Sequence, residues 1–267
     1  MKDRFLLGQY YDAASPVHSL DPRLKMVVTL LYMAALFVTQ NWQVYIALAA
    51  IFIAVILVSR VPLPYFWRGM RLIVIFMFFT LAANIFFTPG DAVLQLGFIT
   101  ITKEGLIRGG LMGIRLFLLV AFATLLTLTT KPVSLTEGME SLLLPLKIIK
   151  FPAHEISMVM SIALRFIPTI LEELERIMNA QRVRGVDFSS GGLLKRAKAL
   201  VPLLVPLFIS SFRRADELAQ AMEAKCYTGK NHRTHWKPLR WRMADTLVLL
   251  FFAAVLATTI IINILRG

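Results

Sequence analysis

Residues 26–59 read MVVTLLYMAALFVTQNWQVYIALAAIFIAVILVS, a run without one charged side chain. As a single helix it would extend about 50 Å at ~1.5 Å per residue, against a bilayer hydrocarbon core of roughly 30 Å. The run therefore predicts a hairpin of two membrane helices that breaks near Gln40, Asn41, Trp42 and Gln43. Its first arm is short, about 15 residues, and has to tilt little or thin the bilayer.

Downstream, a third apolar span over 72–87 stops at Thr88, Pro89, Gly90 and Asp91, a turn signal. The alternation in VLQLGFITITKEG predicts a short extended segment. A fourth span covers 111–130 and a last one 244–265. The expected fold is thus an all-α integral membrane protein with about five transmembrane helices.

Composition agrees, since 57% hydrophobic against 17% charged residues lies outside the soluble norm. The formal charge of +13 fits cytoplasmic loops facing anionic lipid and an acidic partner better than it fits nucleic acid. Cys226 is the one cysteine, so no internal disulfide framework is possible. No small-residue cleavage site precedes the first apolar run, and no cleaved signal peptide is expected.

Cations set the expected orientation. Lys2, Arg4, Arg23 and Lys25 precede the first span, Arg60, Arg68 and Arg71 separate the second from the third, and the turn at 40–43 has none. By the positive-inside rule the amino terminus is cytoplasmic, and five crossings leave the carboxyl terminus outside. Trp42, Trp67, Trp236 and Trp241 all fall beside expected membrane boundaries, where indole rings prefer to sit.

Three regions follow: a leader with four membrane helices (1–130), a cytoplasmic or interfacial helical domain (131–242) and the final membrane helix (243–267). The middle region carries most of the chain's charged residues. Within it Ile156, Val159, Ala163, Phe166, Ile170, Leu174 and Ile177 recur at three- and four-residue steps, the period of an amphipathic helix. Pro168 is expected to kink it. A second stretch, GGLLKRAKALVPLLVPLFISSFRRADELAQAMEAKCYTG, repeats the plan around Pro202 and Pro206. Neither reads as a sixth crossing, because Arg165, Glu172, Glu173 and Arg176 in one, and Arg213, Arg214, Asp216 and Glu217 in the other, would each cost about 2.5–3.5 kcal/mol at the bilayer centre.

Both stretches end alike, in AQRVRG (180–185) and AMEAKC (221–226), with a cation between small or modest residues. Ordinary termination accounts for part of this: Gly185 and Gly229 suit positions just past a helix, and a cation in the last turn meets the negative end of the dipole. The repetition points further, to a contact in which a cation enters a partner's groove while the backbone comes close.

With these features the chain resembles the T components of energy-coupling factor transporters, membrane scaffolds of ABC-type vitamin and metal-ion importers related to the permease subunit of cobalt importers. The leader carries the resemblance in Ser15, Pro16, Val17 and His18 and in Leu20, Asp21, Pro22, Arg23, Leu24 and Lys25; so does the span KEGLIRGGLMGIRLFLLVAFATLLTLTT. The two endings are similar to that family's paired coupling motifs, with Val183, Arg184 and Gly185 in one and Ala224, Lys225 and Cys226 in the other. Ala180, Gln181 and Arg182, and Ala221, Met222 and Glu223, complete them.

The resemblance implies a subunit that transmits the motion of two related ABC-type ATPases to one or more substrate-capturing membrane S components. Each motif cation would enter a groove of one ATPase. It implies no cofactor bound by this chain, with ATP and Mg used by the partners. Lys225 departs from the family's usual arginine and lacks the planar fork of five donors. Cys226 replaces a frequent glycine. Met158, Met160, Leu203, Leu204 and Phe208 are the expected apolar contacts for a capture subunit, against the alternative that they pack internally or on lipid.

Other constellations are weaker. His232 and His235 lack a clear third metal ligand, and no GxxxxGK[ST], GxSxG or HExxH occurs. Arg108 is expected at the outer interface, whereas Arg115 lies deeper and needs an internal partner or another subunit. Gly109 and Gly113 form a small-xxx-small pair suited to close helix approach. A self-sufficient secondary transporter is the runner-up, although its usual ionisable midmembrane site is missing apart from Arg115.

Overall fold

The computed structural model describes residues 10–39, 41–89, 92–96, 99–143, 152–186, 188, 192–227, 239 and 241–266. Apart from one small hairpin it is helical, and it divides into two compact units. One comprises Gly8–Ser157 with Leu239–Gly267, and the other centres on Met158–Pro238.

The first unit begins with a short helix α1 (Pro16–Ser19), capped where Ser15 Oγ accepts from the His18 amide. Helix α2 (Pro22–Val38) starts at an Asp21 cap with proline in the first turn, the arrangement a helix start favours. After Thr39 and Asn41 the chain turns into α3 (Trp42–Ser59), so the long uncharged run does break into a hairpin where expected. Helix α4 (Leu63–Phe87) begins well before the expected 72, because Tyr65, Trp67, Arg68 and Arg71 dilute hydropathy without interrupting the helix. Its two parts, Leu63–Arg71 and Ile73–Phe86, meet at 50°.

The alternating stretch forms an antiparallel hairpin of β1 (Ala92–Leu96) and β2 (Ile99–Thr102), with Leu96 opposite Ile99. Helix α5 (Lys103–Thr129) follows, again starting earlier than the hydropathy suggested. Thr102 Oγ1 accepts from the Gly105 amide and donates to the Thr88 carbonyl, so one hydroxyl caps α5 and holds the end of α4. Helix α6 (Pro132–Leu143) packs on α2, and a Cβ at Gly138 would lie 3.4 Å from Pro22. That packing places 132–143 with the membrane helices rather than with the domain expected to start at 131. Helix α9 (Met243–Arg266) packs along α2.

Helices α3, α5 and α9 are each long and apolar enough to cross a membrane, and the two parts of α4 qualify together as one bent span. The 17 residues of α2 stand at the lower limit for a crossing. Outward faces are apolar too: Phe78, Phe79, Leu247 and Ile264 are all about 70% exposed, as lipid-facing side chains should be.

The core is an aromatic cluster that joins five helices. Tyr32 of α2 stacks on Phe122 of α5 at 4.1 Å, Phe252 of α9 meets both edge-on, and Phe52 of α3 bridges Phe122 to Phe66 of α4. Tyr32 satisfies its buried hydroxyl on the Leu48 carbonyl. Along α5, Gly105, Gly109 and Gly113 face α4, where a Cβ would come within 2.8 Å of the Asn84 carbonyl, 3.1 Å of Leu81 and 3.2 Å of Met77 respectively. The small-residue pair read from the sequence is thus a three-residue stripe, and it serves packing within this chain.

Arg115, half-buried on α5, finds its partners internally. Nε donates to Tyr45 Oη at 2.7 Å and Nη2 to the Thr39 carbonyl at 2.9 Å, which pins α5 to the α2–α3 turn. A second polar knot lies where α2 and α9 begin. Asp245 Oδ1 accepts from the Asp21 amide and Oδ2 from the Arg242 amide, while Lys25 Nζ donates to the His18 and Thr129 carbonyls. The motif-bearing leader is therefore a structural tie. His18 is held between Ser15 and the Tyr11 carbonyl, and burial lowers its pKa below the usual imidazole value.

Candidate functional site

The second unit is built on two long helices, α7 (Ala153–Val183) and α8 (Leu193–Ala224). Pro168 lies inside α7, and Pro202 and Pro206 lie inside α8, each removing one helical donor. Their direction follows from two levels of contact. Glu173 of α7 accepts from Ser210 and from Arg214 Nη2 at 2.9 Å, while Tyr227, just past α8, donates to Met158 Sδ at 2.9 Å near the start of α7. Moving back along α7 means moving forward along α8. The pair is antiparallel.

It follows that the two motif ends point opposite ways.

The two ends share one backbone geometry. At α7 the Gly185 amide bonds the Arg182 carbonyl, the Val186 amide bonds the Gln181 carbonyl, and Gly185 has φ of 90°. At α8 the Cys226 amide bonds the Glu223 carbonyl, the Tyr227 amide bonds the Met222 carbonyl, and Cys226 has φ of 57°. Each is a Schellman termination with a left-handed residue after the cap. The left-handed position of α8 is thus Cys226, and Gly229 lies outside the described residues, as do His232, His235 and Trp236.

Within this frame Arg184 and Lys225 take the same capping position, each with its amide bonded four residues back, to Ala180 and Ala221. Both are exposed, as are Val183, Gly185, Ala224 and Cys226, and neither cation makes an ion pair among the described residues. The preceding residues supply the frame: Ala180, Gln181 and Arg182, and Ala221, Met222 and Glu223, all serve as carbonyl acceptors.

Between the ends, Glu173 braces the two helices. Its bond from Ser210, with the Arg214 guanidinium beside it, holds the carboxyl below the usual glutamate range. The sequence offered these charges only as reasons against a membrane crossing. Their pairing depends on the antiparallel packing, which no local spacing announces.

Apolar candidates divide by exposure. Met160, Leu204 and Phe208 are 40%, 47% and 61% exposed, and Val201, Val205, Ile209 and Phe212 extend the last two into a continuous stripe along α8. Leu203 is only 3% exposed, so it drops out of that surface. Its position, adjacent to Leu204 but 100° round the helix, turns it off the stripe. Met158 is half-buried, with its sulfur engaged by Tyr227. Among the described residues no three His, Cys, Asp or Glu side chains converge to hold a metal ion.

Comparison with known proteins agrees with this layout. Residues 13–236 match the CbiQ family, described as cobalt transport protein. Proteins named energy-coupling factor transporter transmembrane protein EcfT are similar over nearly the whole chain. That of Thermanaerovibrio acidaminovorans is 49% identical over 93% of this chain and 93% of its own. That of Bacillus subtilis is 45% identical over 93% and 94%, and that of Heliobacterium modesticaldum 51% identical over 87% and 88%. With a membrane unit of apolar helices and a pair of exposed, equivalently capped cations, the chain belongs to the CbiQ family and is a transmembrane T component of an energy-coupling factor transporter.

Proposed function

We propose that this chain is the non-catalytic coupling scaffold of an ABC-type importer. Arg184 and Lys225 each enter a groove on one of two homologous ATPase subunits, which bind the ATP and Mg. One or more membrane S components capture a vitamin or a transition-metal ion and bear on the exposed stripe of α8 together with Met160. In this reading the amino terminus and both long helices lie on the cytoplasmic side, and the carboxyl terminus lies outside.

One observation carries the proposal: two helices of 31 and 32 residues present an exposed cation at the same capping position of the same termination, at opposite ends of an antiparallel pair. A single such end is ordinary helix chemistry. Two of them, joined through Glu173, form a beam with a contact at each end. ATPases that close or part while holding both ends would turn or bend that beam, and the apolar face riding on it would move.

The test is substrate uptake in cells carrying Arg184→Glu with Lys225→Glu, alongside affinity purification of the tagged chain. ATP-driven uptake should disappear and the ATPases should no longer co-purify, while the chain still inserts in the membrane. Normal uptake by the double variant would refute the coupling role and leave a self-sufficient transporter as the reading.

A further inference from the structure

The membrane unit carries a cleft that the coupling role does not use. Helices α3 and α9 run antiparallel and line two cavities placed end to end. One, of about 310 Å³, lies between Gln43–Ile51 of α3 and Val255–Leu265 of α9. The other, of about 530 Å³, lies between Ala54–Val58 of α3 and Ala244–Phe252 of α9, with walls from α1, α2 and α5. Its size suits a small-molecule site, typically ~300–1,000 Å³. Its rim is apolar and open: Val58, Leu247 and Phe251 are all about half exposed or more.

The larger cavity is lined by the first turns of α2 and α9 and the last turns of α3 and α5, so it lies toward one end of these apolar helices, the end where α1 packs. At that end its wall contains a cation. Lys25, only 7% exposed, spends two of its three ammonium hydrogens on the His18 and Thr129 carbonyls. Asp245 accepts from the amides of Asp21 and Arg242, and Asp21 from that of Arg23, so neither carboxylate takes a hydrogen of Lys25, although both lie close enough for their charge to act on it. The lining hydroxyls of Ser19, Thr29 and Thr129 donate to helix carbonyls of their own.

We propose that this cavity binds one anionic phospholipid, with an acyl chain lying in the α3–α9 cleft and the phosphate taking the remaining donor of Lys25. An apolar recess open to the bilayer takes in hydrocarbon rather than water, and a cation at its end beside α1 selects a headgroup of opposite sign. The lipid completes the wall of the membrane unit between helices that leave a gap.

The experiment is native mass spectrometry of the full-length chain released from vesicles of equal parts phosphatidylglycerol and phosphatidylcholine. One retained phospholipid is expected, with phosphatidylglycerol favoured at least five-fold. Ala54→Trp, which fills the cleft without touching Lys25, should reduce retention to background while helical circular dichroism stays unchanged. Lys25→Met should keep one lipid and lose the headgroup preference. Equal retention of the two lipids by the unaltered chain, or full retention by Ala54→Trp, would overturn the proposal even if Lys25→Met failed to fold. Neither result depends on the ATPases, so uptake assays test the coupling role separately.

Discussion

Arg184 and Lys225 hold the same backbone position, the cap between the last helical residue and a left-handed residue, on two helices of opposite direction. The left-handed residue differs, being Gly185 after one and Cys226 after the other. A residue with a Cβ costs roughly 1–2 kcal/mol in that region, and glycine costs far less. Cys226→Gly should therefore firm the end of α8 by about 1 kcal/mol, seen as slower hydrogen exchange of the Tyr227 amide. Gly185→Ala should loosen the end of α7 by a similar amount.

Glu173 and Arg214 form the brace between the two long helices, and their partial exposure keeps the coupling between them modest. A double-mutant cycle with Glu173→Gln and Arg214→Gln should give an interaction of about 1 kcal/mol or less. The pH dependence has a definite sign. Because the folded carboxyl titrates below its ordinary value, its stabilisation is complete above the usual glutamate range and is lost as pH falls through the lowered value. Urea unfolding should show that acid sensitivity in the native chain and less of it in Glu173→Gln.

The glycine stripe on α5 predicts a graded series. An added Cβ at Gly105 meets Thr102 Oγ1 at 2.7 Å and a backbone carbonyl at 2.8 Å, neither of which is free to retreat. At Gly113 it meets only the flexible Met77 side chain, and at Gly110 nothing lies within 4 Å. Thermal unfolding in detergent should rank Gly105→Ala as most damaging, at about 1–3 kcal/mol. Gly109→Ala and Gly113→Ala should follow in order, and Gly110→Ala should be neutral.

Arg115 is predicted to be structural. Replacing it with leucine removes a charge-assisted bond to Tyr45 Oη and another to the buried Thr39 carbonyl, which among the described residues keeps only its bond from Tyr45, at a cost of about 2 kcal/mol. Lysine should rescue only partly, since one ammonium cannot reproduce the fork that reaches Tyr45 and Thr39 together. Melting temperatures of the two variants provide the comparison.

Local chemistry was legible, and distant pairing was not. The hairpin break and the extended segment each depend on a few adjacent residues, and each falls where expected. Helix starts at Leu63 and Lys103 were missed because hydropathy tracks lipid contact, whereas a helix continues through Arg68 or Glu104 as readily as through leucine. At the candidate site both cations were readable from their repeated setting. The left-handed Cys226 was not, since few side chains other than glycine adopt that conformation. Tyr227 on Met158 and Ser210 on Glu173 depend on tertiary packing, as does the burial of Leu203 beside an exposed Leu204.

The tie between the Asp21 amide and the Asp245 carboxylate bears on how the protein is made. Helix α9, which carries Asp245, is synthesised after the other described helices of the membrane unit and after both long helices. Until then α2 has one flank without α9, the cap of α2 lacks its buried acceptor, and the Val38 carbonyl waits for Asn263. Loop-closure entropy for so distant a pair is met only once, at the end of synthesis. A chain halted before Met243 would thus carry both long helices while the membrane unit still lacked the strap that joins the two ends of α2 to α9.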